Sequence, residues 1–453
     1  MELHPDEAYY WVWSRHLQLS YFDHPPMVAY FIKLTTLFST SEFFVRFSGI
    51  LVSLAISLII WSLSKQLFSD EKIAAGSVIL LNVYPLTMSG SVIITPDVPA
   101  FLFLALAVFC AWQAFKPDKA YYWYIFSFFF GLALLSKYTA VLLLPCIFLY
   151  MFSTDERRHL RSVHPYLSFL ISAALFLPVI IWNVGNGWIS FKFQAGHGLS
   201  GYDSFGGILE YLGGQLLVLS PFAWLFGLWA AAIFCFTRNK AKLYVGLTSL
   251  PIILFFLLTS FKHAAAPNWP VLAYFTFTLA FCAYFLDGNK WKKRLWAFAV
   301  GFSFLFSLLA TAHARFSVMP LEKISKEWVK TDATNWFYGW KELAGKIREY
   351  PQTRYVFSPS HTLSATIDYY LNRSGAVATV YSDTGIGRFS QYNLWKMPLV
   401  SGAPALYVSL EGEAQGAYKR YFEGPVKTDH LLIYRKGIPV RAFTIIYGRI
   451  KTQ

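Results

Sequence analysis

The sequence predicts an α-helical membrane protein with about ten spans, interfacial helices before them and a small α/β domain after them. Of its 453 residues, 56% are apolar and only 14% are charged, whereas about 25% are charged in soluble domains. From Phe43 to Ala314 the charges lie mostly in short runs between long apolar stretches, which is typical of multi-span proteins. The 19% aromatic content agrees, because Trp and Tyr collect at lipid–water boundaries. A single soluble core is excluded.

The spans follow from length, because a hydrocarbon core about 30 Å thick needs roughly 20 apolar helical residues. The candidate spans are 43–64, 73–92, 98–115, 122–136, 138–152, 166–183, 208–236, 243–261, 269–286 and 295–314. The apolar run from Tyr122 to Phe152 is too long for one perpendicular helix and contains Lys137. We therefore expect two short helices that meet near this lysine.

The loop charges predict the orientation. One set of alternate loops carries fourteen Lys and Arg, and the other carries three, or four if Arg46 is included. Because cytoplasmic loops carry the excess, both ends of the chain are expected on the outer side, which is the periplasm if the source is bacterial. The predicted domains are an outer segment 1–42, a transmembrane domain 43–314 and a soluble domain 315–453.

The two outer segments differ in character. Between Tyr9 and Leu37, aromatic stretches alternate with charges, as in helices that lie in the membrane interface, and Pro25-Pro26 separates two of them. After Ala314 the composition becomes that of a soluble protein. Short apolar runs alternate there with helical patterns, which predicts a small α/β domain. The runs are Tyr355–Phe357, Ala376–Tyr381, Ala405–Leu410 and Leu431–Tyr434, and the helical patterns are Asn335–Tyr350 and Leu363–Leu371.

Net charge and cysteines exclude two further classes. Many of the basic residues behind the net charge of +14 flank apolar spans, so a nucleic-acid partner is not expected, and the partners are membrane lipids. The four cysteines lie inside apolar stretches without a zinc-binding spacing, so they are interpreted as core hydrophobes. They are Cys110, Cys146, Cys235 and Cys282.

Ionisable residues gather on the predicted outer side. Such a residue near the membrane is costly unless it is paired or hydrated, so each is a functional candidate. Together, acids and cations suit a reaction in which a hydroxyl loses a proton while a phosphate leaves. The candidates are Asp6, Glu7, His24, Asp97, Lys137, Lys192, His197, Lys262 and His263, the last two preceding Asn268.

Each candidate also has a simpler interpretation. Asp6 is an expected N-cap for a helix that begins at Glu7, and Asp97 for a span that begins near Val98. Lys137 is a candidate for snorkelling to the interface. His197 and His263 are ordinary solvated residues of outer loops under this interpretation. The common side of the membrane favours the functional interpretation of the set.

Several segments resemble the GT-C membrane glycosyltransferases, in particular the bacterial branch related to protein O-mannosyltransferases and lipid A aminoarabinose transferases. The resemblance spans nearly the whole chain, and its specificity lies in the combination of motifs. These are Pro5-Asp6-Glu7-Ala8-Tyr9-Tyr10-Trp11, Tyr21-Phe22-Asp23-His24-Pro25-Pro26, Thr95-Pro96-Asp97, Leu134-Leu135-Ser136-Lys137-Tyr138-Thr139, Trp182-Asn183, Gly187-Trp188, Pro267-Asn268-Trp269-Pro270 and Ser390-Gln391-Tyr392-Asn393-Leu394-Trp395.

The resemblance implies inverting transfer of a sugar from a polyprenyl-phosphate carrier to a hydroxyl of lipid A, another glycan or a protein, on the periplasmic face of the bacterial inner membrane. Asp6 matches the family's catalytic base and Asp97 its second acid. Lys137 and His24 are the expected donor-phosphate contacts. Glu7, His197, His263, Asn268, Gln391 and Tyr392 are candidate substrate contacts. No cofactor is predicted outright, and Asp97 as a ligand of a divalent metal ion stays open.

Two departures from the family pattern stand out. A lysine precedes the double proline in the aminoarabinose branch, whereas His24 stands here, and an imidazole with an ordinary pKa near 6.5 is mostly neutral at pH 7. The family has a transmembrane helix before its Asp-Glu motif, which here is reached after five residues.

The rival function is a transporter or flippase for polyprenyl-linked sugars. Transporters often contain inverted repeats, and we find no repeat.

Overall fold

The computed structural model describes residues 1–197, 204–262, 265–373, 375, 377–383, 388–395, 398–413 and 416–451. The α-helices, in chain order, are α1 Pro5–Arg15, α2 Met27–Thr35, α3 Glu42–Phe68, α4 Glu71–Val83, α5 Pro85–Gly90, α6 Asp97–Ala114, α7 Tyr122–Leu134, α8 Leu143–Ser153, α9 His164–Gly185, α10 Ile189–His197, α11 Ser204–Leu219, α12 Pro221–Cys235, α13 Lys240–Leu247, α14 Leu250–Thr259, α15 Tyr274–Leu286, α16 Lys290–Phe316, α17 Lys326–Thr331, α18 Trp340–Arg348, α19 His361–Asn372 and α20 Gln391–Leu394.

Short 3-10 helices and five strands complete the described structure. The 3-10 helices are Tyr138–Leu142, Asp155–Arg161, Trp269–Ala273, Leu321–Lys323, Ala333–Phe337 and Ala417–Arg420. The strands are β1 Tyr355–Ser358, β2 Thr379–Ser382, β3 Pro404–Leu410, β4 Phe422–Arg435 and β5 Ile438–Ile450. The chain forms two compact units. We call residues 18–31 and 46–310 the helical unit, and residues 1–17, 32–45 and 311–453 the sheet unit.

The membrane-spanning part is helical, as predicted. In the described part of the chain, six stretches are long and apolar enough to cross a bilayer, or up to eight if each of two bent helix pairs is one span. The six are Glu42–Phe68, Asp97–Ala114, His164–Gly185, Lys240–Thr259, Trp269–Leu286 and Lys290–Phe316. The helical membrane fold is confirmed, whereas the number of about ten spans stays a prediction.

Two expected spans are broken helices. The expected span 208–236 is bent by 103° between α11 and α12, and Ser220 at the break has a φ of 75°. The expected span 73–92 is interrupted between α4 and α5, where Tyr84 is extended. The cause is proline at positions 221 and 85, because proline lacks an N–H and disfavours a helical residue before it.

The break at Lys137 confirms an expectation. Helix α7 ends at Leu134, and Lys137 itself is extended, with φ −154° and ψ 131°. The 3-10 turn Tyr138–Leu142 then leads into α8. Lys137 therefore belongs to neither helix and lies at the break between them.

The sheet unit has the predicted α/β character. Its five strands lie in the order β2-β1-β3-β5-β4. Strand β1 pairs in parallel with β2 and β3, whereas β5 pairs antiparallel with β3 and β4. Aromatic side chains including Tyr355, Phe357, Tyr407 and Phe422 form a core on this sheet. Strand β5 was not predicted.

Helix α1 packs against α19 inside the sheet unit. Trp11 contacts Tyr369 edge-on, with ring centroids 5.0 Å apart. The Leu3 N–H donates to the Tyr370 hydroxyl at 2.7 Å. Most of α1 is buried, so the sheet unit holds the helix that carries the Asp-Glu motif.

Candidate active site

A buried ion pair joins two of the predicted residues in the helical unit. Asp97 is the first residue of α6, and Lys137 lies in the break after α7. The Lys137 ammonium donates to Asp97 Oδ1, and the two side chains are only 8% and 14% exposed. A buried charge is costly unless it is paired, so each of these residues requires the other.

Asn268 completes this cluster. It directly precedes the 3-10 helix Trp269–Ala273, and its side-chain Nδ2 donates to Asp97 Oδ2 at 2.5 Å. Both carboxylate oxygens of Asp97 therefore accept a hydrogen bond. We call Asp97, Lys137 and Asn268 the acid–lysine cluster. All three were predicted individually, as a second acid, a phosphate contact and a substrate contact, and the structure brings them together.

The simpler interpretations of these residues do not hold. Asp97 is not an N-cap, because Pro96 occupies the cap position and Asp97 lies inside the helix. Lys137 does not snorkel, since its ammonium is buried against a carboxylate. Asp6 is likewise not an N-cap, because His4 caps α1, which begins at Pro5.

An apolar cavity of about 240 Å³ lies beside the cluster in the helical unit, and Asp97 and Asn268 line it. Its wall is formed mainly by aliphatic and aromatic side chains of α3, α4 and α6 and by the segment around α5. They include Val52, Ile56, Leu81, Leu86, Val98 and Phe101. Two polar residues, Asn82 and Ser53, also line the cavity, and the Ser53 hydroxyl donates to Asn82 Oδ1 at 3.2 Å. The cavity is thus mainly apolar, and its charged lining residue is Asp97, the partner of Lys137.

Asp6 and Glu7 have different environments on α1. The Asp6 side chain is 49% exposed, and one of its oxygens lies 3.5 Å from His4 Nδ1. Glu7 is fully buried, and its carboxylate accepts the His4 backbone N–H at 2.8 Å, which forms a capping box with His4. Exposure favours Asp6 for proton transfer, whereas Glu7 stabilises the helix start.

Gln391 and Tyr392 contact α1 within the sheet unit. The Gln391 backbone N–H donates to the Tyr9 hydroxyl at 2.7 Å, and the Tyr392 ring stacks on Tyr9 with centroids 6.1 Å apart. Gln391 is fully buried and Tyr392 is 6% exposed. These contacts indicate that α20 supports α1, and a substrate role for the two residues stays a prediction.

The structure shows little of the side-chain environment of the three histidines of the predicted site. His24 lies in the turn before α2, where its carbonyl accepts the Tyr21 N–H at 3.2 Å. His197 is the last residue of α10, and its side chain lies outside the described part of the structure. His263 also lies outside the described residues. Their predicted roles remain predictions.

The donor set at Asp97 does not fit a divalent metal ion. Its two oxygens accept from an ammonium and an amide N–H, and both of these are donors rather than metal ligands. Among the described residues, no three His, Cys, Asp or Glu side chains converge in a group that could bind a metal.

The overall fold resembles that of a solved enzyme. The structure of ArnT from Cupriavidus metallidurans bound to undecaprenyl phosphate has a TM-score of 0.69 at 15% identity, covering 98% of this chain and 94% of that one. Its apo form gives 0.66 at 16% identity, with the same coverage. The chain has the GT-C fold. The resemblance inferred from the motifs is thereby confirmed at the level of fold.

Sequence comparisons agree with the GT-C fold. Residues 23–182 match the family described as dolichyl-phosphate-mannose-protein mannosyltransferase, and this range includes His24, Asp97 and Lys137. The chain is 28% identical over 298 residues to the lipid A galacturonosyltransferase RgtD of Rhizobium johnstonii. That alignment covers 64% of this chain and 62% of the length of the relative.

Proposed function

We propose that the protein is an inverting glycosyltransferase that moves a sugar from a polyprenyl-phosphate carrier to a hydroxyl of lipid A on the periplasmic face of the inner membrane. The observation that carries the proposal is the acid–lysine cluster beside an apolar cavity. A phosphate on a hydrocarbon chain needs a cation and an apolar space close together. The name of the relative RgtD supports lipid A as acceptor, and the ArnT structure contains the carrier lipid phosphate.

Lys137 is the proposed contact of the donor phosphate. Its ammonium has three N–H donors, and among the described residues Asp97 is its hydrogen-bond acceptor. Two donors thus remain for phosphate oxygens. In this assignment Asp97 orients the ammonium, and Asn268 orients Asp97.

Asp6 is the proposed general base, on the strength of its motif and its exposed carboxylate. The acceptor hydroxyl gives its proton to the carboxylate while its oxygen attacks the anomeric carbon. The bond from that carbon to the phosphate oxygen breaks, and polyprenyl phosphate leaves with the bonding electrons. Attack opposite the leaving group inverts the anomeric configuration. The leaving group is already an anion, so it needs a cation more than an acid.

Reconstitution tests the proposal. Purified protein in liposomes is supplied with undecaprenyl-phosphate-linked galacturonic acid and lipid A, and the lipids are analysed by mass spectrometry and NMR. We expect glycosylated lipid A of inverted anomeric configuration together with free undecaprenyl phosphate. Labelled sugar on a protein or another glycan would mean that lipid A is not the acceptor. Passage of intact donor across the bilayer without any product would mean that the protein is a transporter rather than a glycosyltransferase.

A further inference from the structure

A buried glutamine of α11 contacts the loop that carries Asn268. Gln215 is the polar residue in the apolar run from Leu212 to Leu219, and it is fully buried. Its side-chain Nε2 donates to the Pro267 carbonyl at 3.0 Å. Its Oε1 accepts from the hydroxyl of Tyr274, which is also fully buried. Both ends of the amide are therefore satisfied, and its orientation is fixed.

The same helix touches Pro267 a second time. A Cβ added at Gly214 would lie 2.5 Å from Pro267 Cγ, so the glycine allows a close approach that another residue would prevent. Hydrogen bond and packing together fix the backbone of Pro267. The next residue, Asn268, donates to Asp97, so a continuous series of contacts runs from Gln215 to the acid–lysine cluster within the helical unit.

We propose that Gln215 is a positioning residue, which fixes the loop at Pro267 so that Asn268 holds Asp97 in place against Lys137. The expected effect of Gln215 on turnover rests on the proposed function, because it requires that the protein transfers the sugar. A displaced Asn268 leaves one Asp97 oxygen without its donor, and the carboxylate and the ammonium then lose their fixed geometry. Small displacements of positioning groups lower reaction rates.

A double-mutant cycle tests whether Gln215 acts through Asn268. Because the hydrogen bond to Pro267 is lost, Gln215→Met is expected to lower kcat/KM for the donor about 10-fold. Methionine keeps the length of the side chain and offers Tyr274 a weak sulfur acceptor, but it has no N–H for the Pro267 carbonyl. In an Asn268→Ala background the same change is expected to cost less than about 2-fold, since the residue it positions is gone. Fully additive losses would overturn the inference.

A matched control lies on the same helix. The buried Tyr211 hydroxyl donates to the Ile253 carbonyl at 3.0 Å, so its hydrogen bond does not involve Pro267. Tyr211→Phe removes a comparable buried hydrogen bond, and we expect kcat/KM to stay within about 2-fold of the parent. An equal loss in both variants would mean that general destabilisation, rather than positioning, explains Gln215.

Hydrogen exchange provides a second measurement that needs no turnover. Gln215→Met is expected to speed amide exchange in residues 266–273, whereas Tyr211→Phe leaves that segment unchanged. Unchanged exchange there in Gln215→Met would overturn the inference even if transfer is observed. If the parent protein transfers no sugar, the proposed function fails, and the exchange result alone decides whether Gln215 holds this loop.

Discussion

At the scale of single residues, the pairing of Lys137 with Asp97 means that replacing Lys137 alone changes both the stability of the fold and the binding of the donor. Removal of one partner from a buried pair leaves an uncompensated charge and typically costs about 3–5 kcal/mol. A single variant would therefore mix both effects. The double variant Asp97→Asn with Lys137→Gln contains no buried charge at this position and is expected to regain most of the lost stability.

Lys137 is expected to determine donor affinity. We predict that undecaprenyl phosphate binds at least about 10-fold more weakly to Lys137→Gln and to the double variant, because a charge-assisted hydrogen bond is lost. Titration of purified protein by intrinsic fluorescence measures this affinity. Lys293→Gln, at an exposed position on α16, is the control and should bind as the parent does. Parental affinity in the double variant would remove Lys137 from the donor site.

Asp6 is expected to affect turnover rather than folding. A positioned carboxylate base typically contributes about 10²–10⁴-fold in rate, so Asp6→Asn should lose most of its transfer activity. His4 and Glu7 cap α1, so the melting temperature of Asp6→Asn should remain near that of the parent. Transfer assays and thermal unfolding measure the two quantities. Near-normal turnover in Asp6→Asn would leave the base unassigned.

Glu7→Gln is the matched comparison for Asp6. Its carboxylate is buried in the capping box, so the expected effect is a loss of stability of about 0.5–2 kcal/mol. Transfer by the remaining folded protein should be reduced far less than in Asp6→Asn. A reversed order of the two effects on transfer would make Glu7 the better candidate.

Asp368 on α19 gives the sheet unit a pH dependence. Burial raises the pKa of Asp368 to about 6, although the Asn372 amide and the charge of Arg15 oppose this increase. The folded state then binds more protons than the unfolded state between about pH 4 and 6, so stability falls as pH rises through that window. Asp368→Asn removes this penalty. We expect it to add about 1–2 kcal/mol at pH 8 and little at pH 4.

Thermal unfolding at several pH values checks this prediction, and Asp429 provides a control of opposite sign. Hydrogen bonds from Lys346 and the His430 backbone lower the pKa of Asp429 to about 2. Its stabilising contribution is lost only as pH falls toward that value, so Asp429→Asn should lower the melting temperature equally at pH 5 and pH 8. A pH-independent effect of Asp368→Asn would contradict the assignment.

At the scale of elements, the sequence predicts helix existence better than helix breaks. The break at Lys137 was predictable because a charge interrupts a run that is too long for one helix. The breaks before Pro85 and Pro221 were missed, although the prolines were visible, because apolar composition continues through both positions. Composition thus outweighed the backbone geometry that proline imposes.

The packing of α12 on α15 depends on a glycine. A Cβ at Gly227 would lie 2.3 Å from the Phe277 ring, so Gly227→Ala is expected to cost about 1–3 kcal/mol through overpacking. Gly301 in α16 has no atom within 4 Å of such a Cβ, and Gly301→Ala should be neutral or stabilising because alanine favours helix. Thermal unfolding in detergent compares the two. Equal melting temperatures would show that α15 adjusts to the extra methyl group.

Contacts between elements that are far apart in the chain could not be predicted from the sequence. The acid–lysine cluster joins residues that are 40 and 171 positions apart, and the packing of α1 on α19 joins residues about 360 apart. Single-residue chemistry pointed to Asp97, Lys137 and Asn268, but nothing in the local pattern indicated their pairing. Gln215 had a signal, since an isolated amide in an apolar run requires a partner.

At the scale of the whole molecule, the α/β part after the last apolar helix was predictable because strand and helix periodicities differ. Four of the five strands coincide with apolar runs found in the sequence. Strand β5 was missed even though Lys436-Gly437 precedes it, and both residues adopt left-handed φ values of 53° and 74°. Such a pair is a hairpin signal, and β4 and β5 are paired across it.

The orientation of the chain is the last prediction, and it rests on the charges of alternate loops. Single cysteines introduced near Lys119, Arg158, Lys240 or Lys292 are expected to face the cytoplasm, and a cysteine after Gln453 the periplasm, because the cytoplasmic side retains the Lys and Arg excess.

Labelling of intact cells with a membrane-impermeant maleimide, before and after permeabilisation, measures this orientation. The four native cysteines are free, and three of them are buried, so replacing them with Ala or Ser provides a background for the assay. The C-terminal position should react in intact cells, and the loop positions only after permeabilisation. The reverse pattern would place the sheet unit, with Asp6, in the cytoplasm. A periplasmic reaction at Asp6 would then be impossible, even if the acid–lysine cluster binds the carrier phosphate.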